Sequence, residues 1–162
     1  MGDRADAFEE CRADIGVTLM AQRLVGTDHE EFTIAAFGDG DGGFHAAMAM
    51  RRSLSSEGFT GMAEVVAMDA FSQTVQALCR LLRPVGPTNF QFRTEGDAVR
   101  LLEINPRISS STSLRTAFRY NECVMAVDDF LFHKTPSQPR IRGGKAIRYT
   151  DDLVFYDDSI HF

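Results

Sequence analysis

Apolar and polar residues recur along this chain with two different periods, and the change of period marks out its elements. Residues 17–24 and 31–37 are rich in strand-forming side chains and are separated by Gly26, Thr27 and Asp28, which reads as strand, turn, strand. The glycine-rich stretch 38–43 then separates residues 31–37 from an apolar run over 44–50, predicting a hairpin with a glycine-rich tip. Residues 53–61 read as a loop and 63–68 as a short strand. From Asp69, the expected cap, to about Leu82 the period becomes helical: Phe71, Val75, Leu78, Cys79 and Leu82 lie on one stripe, and Pro84, Gly86 and Pro87 end the run.

Residues 89–93 and 98–105 bracket Thr94, Glu95, Gly96 and Asp97, predicting a second hairpin. A Ser/Thr-rich loop over 109–113 follows. Cys123, Val127, Phe130 and Leu131 then predict a second amphipathic helix over about 121–133. A weak amphipath over 4–14 predicts an opening helix, and 145–150 and 153–156 are candidate closing strands. Hairpins interleaved with single helices imply an α+β fold, an antiparallel sheet with helices packed on one face, rather than the regular alternation of a doubly wound sheet.

A length of 162 residues suits one domain spanning 1–162, with 44% hydrophobic and 25% charged residues typical of a globular protein. No apolar run approaches the roughly 20 residues that cross a bilayer, so no membrane partner is expected. Twenty-three acidic against 17 basic residues leave a net charge of −6, which disfavours a nucleic-acid partner. All but two of the basic residues, Lys134 and Lys145, are arginine. Cys11, Cys79 and Cys123 form no Cys-x-x-Cys pair, and no secretory leader pattern opens the chain, so a reducing cytoplasmic setting is expected.

Candidate chemistry concentrates in the second hairpin. Residues two apart on a strand share a face, so Glu103 and Asn105 project together, and antiparallel pairing across a short turn brings Gln91 near Glu103. One carboxylate and two amide carbonyls are hard oxygen donors suited to Mg²⁺, with water and phosphate oxygens completing its shell. Arg107, just past the strand, can grip a phosphate as a planar fork. The competing reading makes Glu103 and Asn105 the solvent face of an edge strand. Residues 38–43 lack the Gly-Lys-Ser/Thr ending of a phosphate loop and read as a hairpin turn. Arg51 and Arg52 stand at a strand end, facing either an anion or solvent; Arg115 and Arg119 flank the Ser/Thr loop, either lining a pocket or lying on the surface. The four histidines show no metal-ligand spacing.

Leu102-Glu103-Ile104-Asn105-Pro106-Arg107, followed by serines and threonines and preceded by Asn89-Phe90-Gln91, resembles the metal-binding end of the ATP-grasp superfamily, most closely the carbamoyl-phosphate synthase large-subunit type. The stretch from Met20 through Gly26, with Glu31-Phe32-Thr33, resembles that family's hinge and Gly-x-Glu-Tyr-Thr segment, with Phe in place of Tyr. The resemblance implies ATP and Mg²⁺ or Mn²⁺ as cofactors. It implies Gln91, Glu103 and Asn105 as metal ligands and Arg107 as the catalytic contact to the transferred phosphoryl group. Gln22, Arg23, Leu24 and Val25 would read the adenine, and Glu31 the ribose hydroxyls. The implied reaction joins a carboxylate to an amine or ammonia through an acyl phosphate.

Family members also carry a smaller lobe with a lysine and a glycine loop over the phosphates, and neither lysine here precedes the metal motif. The chain is therefore expected to be the C-terminal lobe, completed by an N-terminal lobe in cis or in trans. Some self-association into a homo-oligomer is expected through the apolar face where that lobe would sit. The alternative is a nucleotide-binding or protein-interaction module derived from such a ligase and without turnover; a further alternative is an unrelated α+β binding domain.

Overall fold

The computed structural model describes residues 9, 12, 14, 16–18, 22–27, 30–149 and 151. Its strands form one six-stranded antiparallel sheet. In chain order they are β1 (Glu31–Asp39), β2 (Phe44–Leu54), β3 (Thr60–Val66), β4 (Val85–Glu95), β5 (Ala98–Asn105) and β6 (Lys145–Ile147), arranged β5-β4-β1-β2-β3-β6. Helix α1 (Asp69–Leu82) connects β3 to β4, and α2 (Thr112–Ala117) and α3 (Glu122–Phe132) follow β5. The fold is α+β, as the succession of hairpins and helices implies.

β1 is central and hydrogen-bonded on both sides, to β2 and β4. Its small Ala35 and Ala36 are wholly buried, so apolar packing presses on both faces instead of following a simple in-out alternation. On one face Ile34, Ala36, Ala47, Ala49, Phe90 and Phe92 meet Phe71, Val75 and Cys79 of α1. The Phe71 ring lies 4.9 Å from that of Phe32 and 5.8 Å from that of Phe92. The expected stripe is buried at Phe71, Val75 and Cys79 and partly at Leu78, whereas Leu82 at the helix end is 48% exposed. Met68, however, occupies the helix cap, with no side-chain capping bond. Asp69 stands instead in the first turn, where its charge complements the helix dipole.

The opposite face buries Ala35, Phe37, Ala46, Met48, Met50 and Ala63 with Phe118 and Tyr120, and Leu114 of α2 and Met125 and Ala126 of α3 pack against them. Here the second amphipath is corrected. Val127, Phe130 and Leu131 are 45%, 48% and 69% exposed, because the buried Glu122 and the inward Met125 and Ala126 turn the expected stripe largely outward. Phe130 retains a ring contact with Phe37, at 6.2 Å.

The expected strand over 17–24 is not formed among the described residues: 17–18 lie in a turn and 22–25 run without regular structure. A side-chain bond from Gln22 Nε2 to the Leu101 carbonyl, at 3.1 Å, takes the place of a ladder along β5. β4 begins earlier than expected and includes Pro87. Pairing with β5 starts only at Asn89, so the proline's missing N–H costs no ladder bond on that side. The last strand stops at Ile147. Most of the predicted opening helix and the predicted strand at 153–156 lie outside the described residues. Among the described residues no helix is long and apolar enough to cross a membrane.

Candidate functional site

Toward the start of β1 the second face becomes polar. Directly paired residues of an antiparallel ladder project to the same side. Glu31 pairs with Arg52 and with Arg93, Thr33 with Gln91, Gln91 with Glu103, and Asn89 with Asn105. Gln91, Glu103 and Asn105 therefore share one face of adjacent strands.

A bulge makes this possible. From the turn, Glu95 pairs with Ala98 and the ladder continues regularly to Phe92 opposite Leu101; the next pair is Gln91 with Glu103, and Leu102 is the extra residue. A regular ladder would set Leu102 opposite Gln91 and send Glu103 and Asn105 to the α1 face. The bulge reverses the alternation, leaving Leu101 and Ile104 in the α1 core and the polar pair on the other side.

In this corner one carboxylate is shared by two guanidiniums. Glu31 is 4% exposed. Its Oε1 accepts from Arg52 Nε at 2.9 Å and Nη2 at 2.6 Å, and its Oε2 accepts from Arg93 Nε at 3.2 Å and Nη2 at 3.0 Å. Arg52 Nη2 also donates to Gln91 Oε1 at 2.6 Å. Glu103 is exposed and has no ion-pair partner among the described residues. Arg107, also exposed, donates from Nη1 to the Ile108 carbonyl at 3.2 Å. Asn105 lies behind Asn89 with its Nδ2 buried and without a hydrogen-bond partner.

Beneath the corner lies Arg115, wholly buried. Its Nη1 donates to Ser109 Oγ at 2.9 Å and to Glu122 Oε1 at 3.0 Å, and its Nη2 donates to Thr33 Oγ1 at 2.8 Å and to Asn89 Oδ1. Burial lowers its pKa from the ordinary arginine value, against the opposing pull of Glu122. One guanidinium thus fastens the serine loop to β1 and β4. Sequence reasoning named Arg52 and Arg115 only as open alternatives and missed Arg93 and Glu122. The signal is the ladder register, which sets two arginines beside one glutamate.

Two cavities open on this face. One, of about 350 Å³, is lined by Glu31, Arg52, Asn89, Gln91, Glu103, Arg107 and the serines 109–111. The other, of about 480 Å³, is lined by the expected hinge residues Gln22, Arg23, Leu24 and Val25 with Glu31, Gln91, Arg93, Leu102 and Glu103. Glu31, Gln91 and Glu103 form the wall between them. Arg23 is paired with Glu95, and the Val25 carbonyl accepts from Arg93 Nη1 at 3.4 Å.

The glycine-rich tip at 38–43 is no vacant anion cradle. Asp39 Oδ1 itself accepts from the N–H groups of Asp41 and Gly43, both at 2.8 Å. The turn's oriented amides are thereby engaged by a carboxylate of the same chain.

Among the described residues no group of three or more His, Cys, Asp or Glu could hold a metal. A cation at this corner would rely on the Glu103 carboxylate and the amide oxygens of Gln91 and Asn105. That sparse, all-oxygen set fits Mg²⁺, which retains water and phosphate ligands. The unpartnered atom of Asn105 is its Nδ2, a hydrogen-bond donor that suits a water or phosphate oxygen and not the ion itself. When bound, such an ion supplies charge compensation to phosphate oxygens.

A family model described as "ATP-grasp in the biosynthetic pathway with Ter operon" matches residues 18–153. The chain belongs to the ATP-grasp family. Among solved structures it is similar to the L-amino acid ligase of Bacillus licheniformis, with 16% identity and a TM-score of 0.55 over 80% of this chain and 35% of that one. It is also similar to the N5-carboxyaminoimidazole synthetase of Staphylococcus aureus complexed with ADP, with 12% identity and a TM-score of 0.56 over 74% of this chain and 33% of that one. The Kluyveromyces lactis urea carboxylase matches at 16% identity and a TM-score of 0.55, over 75% of this chain and 12% of the other. At these identities the likeness concerns the fold. The ATP-grasp chain spans about a third of the length of the first two structures. A search of curated proteins finds no match.

Proposed function

We propose that this chain is the nucleotide- and metal-binding half of an ATP-dependent ligase, which activates a carboxylate as an acyl phosphate for attack by an amine or ammonia, in the manner of carbamoyl-phosphate synthase. One observation carries the reading: a hinge-lined cavity and a polar, serine- and arginine-lined cavity meet at Gln91 and Glu103. Adenine is assigned to the cavity of Gln22, Arg23, Leu24 and Val25, and the phosphates to that of Arg107 and the serine loop. Gln91, Glu103 and Asn105 would hold Mg²⁺ or Mn²⁺ at the boundary. Glu31 lines both cavities, where the ribose would lie, and Arg52 and Arg93 hold its carboxylate in place.

Phosphoryl transfer depends mainly on positioning and charge compensation. Arg52 and Arg107 supply positive charge on this face, whereas Lys134 and Lys145 line neither cavity. A second lobe, in cis or in trans, is proposed to cover the phosphates and add the remaining cation, in a cytoplasmic setting that supplies ATP and Mg²⁺. Isothermal titration with ATP and Mg²⁺ tests the assignment. Glu103→Gln is expected to weaken Mg²⁺-dependent ATP binding at least about tenfold, roughly 1.4 kcal/mol, and equal affinities in the two proteins would overturn the metal role.

A further inference from the structure

Away from the polar corner, Arg119, Arg140 and Arg142 line a second polar cavity of about 440 Å³ with Ile141 and Gly143 and with no acidic residue. We propose that these three arginines form a separate binding site for a small anion, the phosphate or carboxylate group of a low-molecular-weight ligand.

What sets these three apart is their grouping in one cavity, since Arg80, Arg83, Arg100, Arg107 and Arg148 also have no carboxylate partner among the described residues. Arg12, Arg23, Arg51, Arg52, Arg93 and Arg115 each pair with a carboxylate. Arg119, Arg140 and Arg142 are exposed and have no ion pair among the described residues, although the chain carries a net charge of −6. Three positively charged residues lining one cavity that has no acidic residue in its wall favour an anion there.

The backbone fixes the arrangement. Arg142 N–H donates to the Phe118 carbonyl at 3.0 Å, tying the segment to the turn that carries Arg119, while Ile141 between the two arginines packs against the core. Arg119 itself sits at φ +74°, a left-handed position that glycine adopts freely and that costs another residue roughly 1–2 kcal/mol. It is the left-handed residue just past the end of α2, in the conformation that Arg83 and His133 adopt at the ends of α1 and α3, and it fixes the turn without marking a ligand site. Residues 112–117 of α2, about 9 Å of helix, separate this turn from the serine loop, and the two cavities share no residue. The site is therefore independent of the nucleotide assignment.

Side-chain Nε–Hε NMR resonances of the full chain, followed while inorganic phosphate or citrate is added at constant ionic strength, test the proposal residue by residue. Saturable shifts are expected at Arg119, Arg140 and Arg142 but not at exposed Arg80 or Arg100, with at least tenfold weaker binding in Arg142→Gln and unchanged binding in Glu103→Gln. A response to phosphate alone would identify a phosphoryl ligand, and a response to citrate alone a carboxylate. Uniform, non-saturating shifts of all exposed arginines, equal affinity in Arg142→Gln, or binding of a polyglutamate peptide where neither small anion binds would each overturn it. Failure of ATP binding with these shifts intact would count against the nucleotide assignment only.

Discussion

Arg115 and Glu122 form an ion pair, Nη1 to Oε1 at 3.0 Å, in which both side chains are essentially out of solvent. The two residues bracket the connection between α2 and α3. The same guanidinium reaches Ser109, Thr33 and Asn89, so the pair anchors the wall behind the polar corner. Removing one member leaves an uncompensated buried charge, which typically costs about 3–5 kcal/mol. Glu122→Leu is expected to lower the urea midpoint accordingly. A loss below about 1 kcal/mol would show that Ser109, Thr33 and Asn89 suffice to hold Arg115.

Glu31 and Glu103 are predicted to separate stability from binding. Glu31 is the carboxylate shared by two guanidiniums in a largely buried setting, so Glu31→Gln removes that shared charge from Arg52 and Arg93 and is expected to destabilise the fold by about 3 kcal/mol. Glu103 is exposed and has no ion-pair partner among the described residues, so Glu103→Gln is expected to stay within about 0.5 kcal/mol of the parent. Urea titration of both variants checks this. Equal stability losses would mean that Glu103 has a structural partner.

The parts of the fold legible in the sequence are those set by local pattern. Phe71, Val75 and Cys79 repeat with a helical period and are buried together, and the predicted hairpin forms, with its turn tightened to Gly96 and Asp97 because Thr94 and Glu95 join the β4 ladder. The α3 stripe was misleading because periodicity gives the existence of a face, not its orientation. Glu122 is drawn inward by Arg115, a residue from another element, and Val127 and Leu131 are turned outward with it. The hinge segment at 22–25 contains strand-forming residues but has no ladder partner among the described residues, so propensity alone predicted too much order. At the site, the common direction of Glu103 and Asn105 follows from their spacing. That this direction is also that of Gln91 depends on the Leu102 bulge, which nothing in the local sequence marks. Arg93 was missed for the same reason, since its approach to Glu31 follows from the pairing of β1 with β4.

Gly38 is expected to be intolerant of any side chain. Its φ is ordinary, but a Cβ there would overlap the Pro84 carbonyl, with the carbonyl carbon only 2.7 Å away. That neighbour is backbone and cannot rotate aside. Gly38→Ala is expected to cost about 1–3 kcal/mol, the usual range for overpacking, and to lower the thermal midpoint. By contrast, nothing lies within 4 Å of a Cβ at Gly96, whose φ is +59°; Gly96→Ala bears only the backbone penalty of about 1–2 kcal/mol. Mutating Gly38 to Ser tests the steric cause, and a Ser variant as stable as the parent would refute it.

Asp39 gives the hairpin tip a defined response to pH. The N–H groups of Gly43 and Asp41 hold its carboxyl below the usual carboxylate range, with Gly43 the larger influence. A carboxylate whose pKa is lower in the folded than in the unfolded chain adds stability above the unfolded value, about 3.9 for Asp, and that contribution disappears as pH falls through the folded value. Asp39→Asn can still accept both N–H bonds but carries no charge at any pH. The parent is therefore expected to exceed Asp39→Asn in stability by nearly the same amount at pH 7 and pH 5, with the difference narrowing only as the pH drops below the unfolded value toward pH 3. Urea midpoints of the two proteins at pH 7, 5 and 3 measure this difference; a gap that is constant with pH, or that widens in acid, would show that the turn is held by hydrogen-bond geometry without a contribution from the charge.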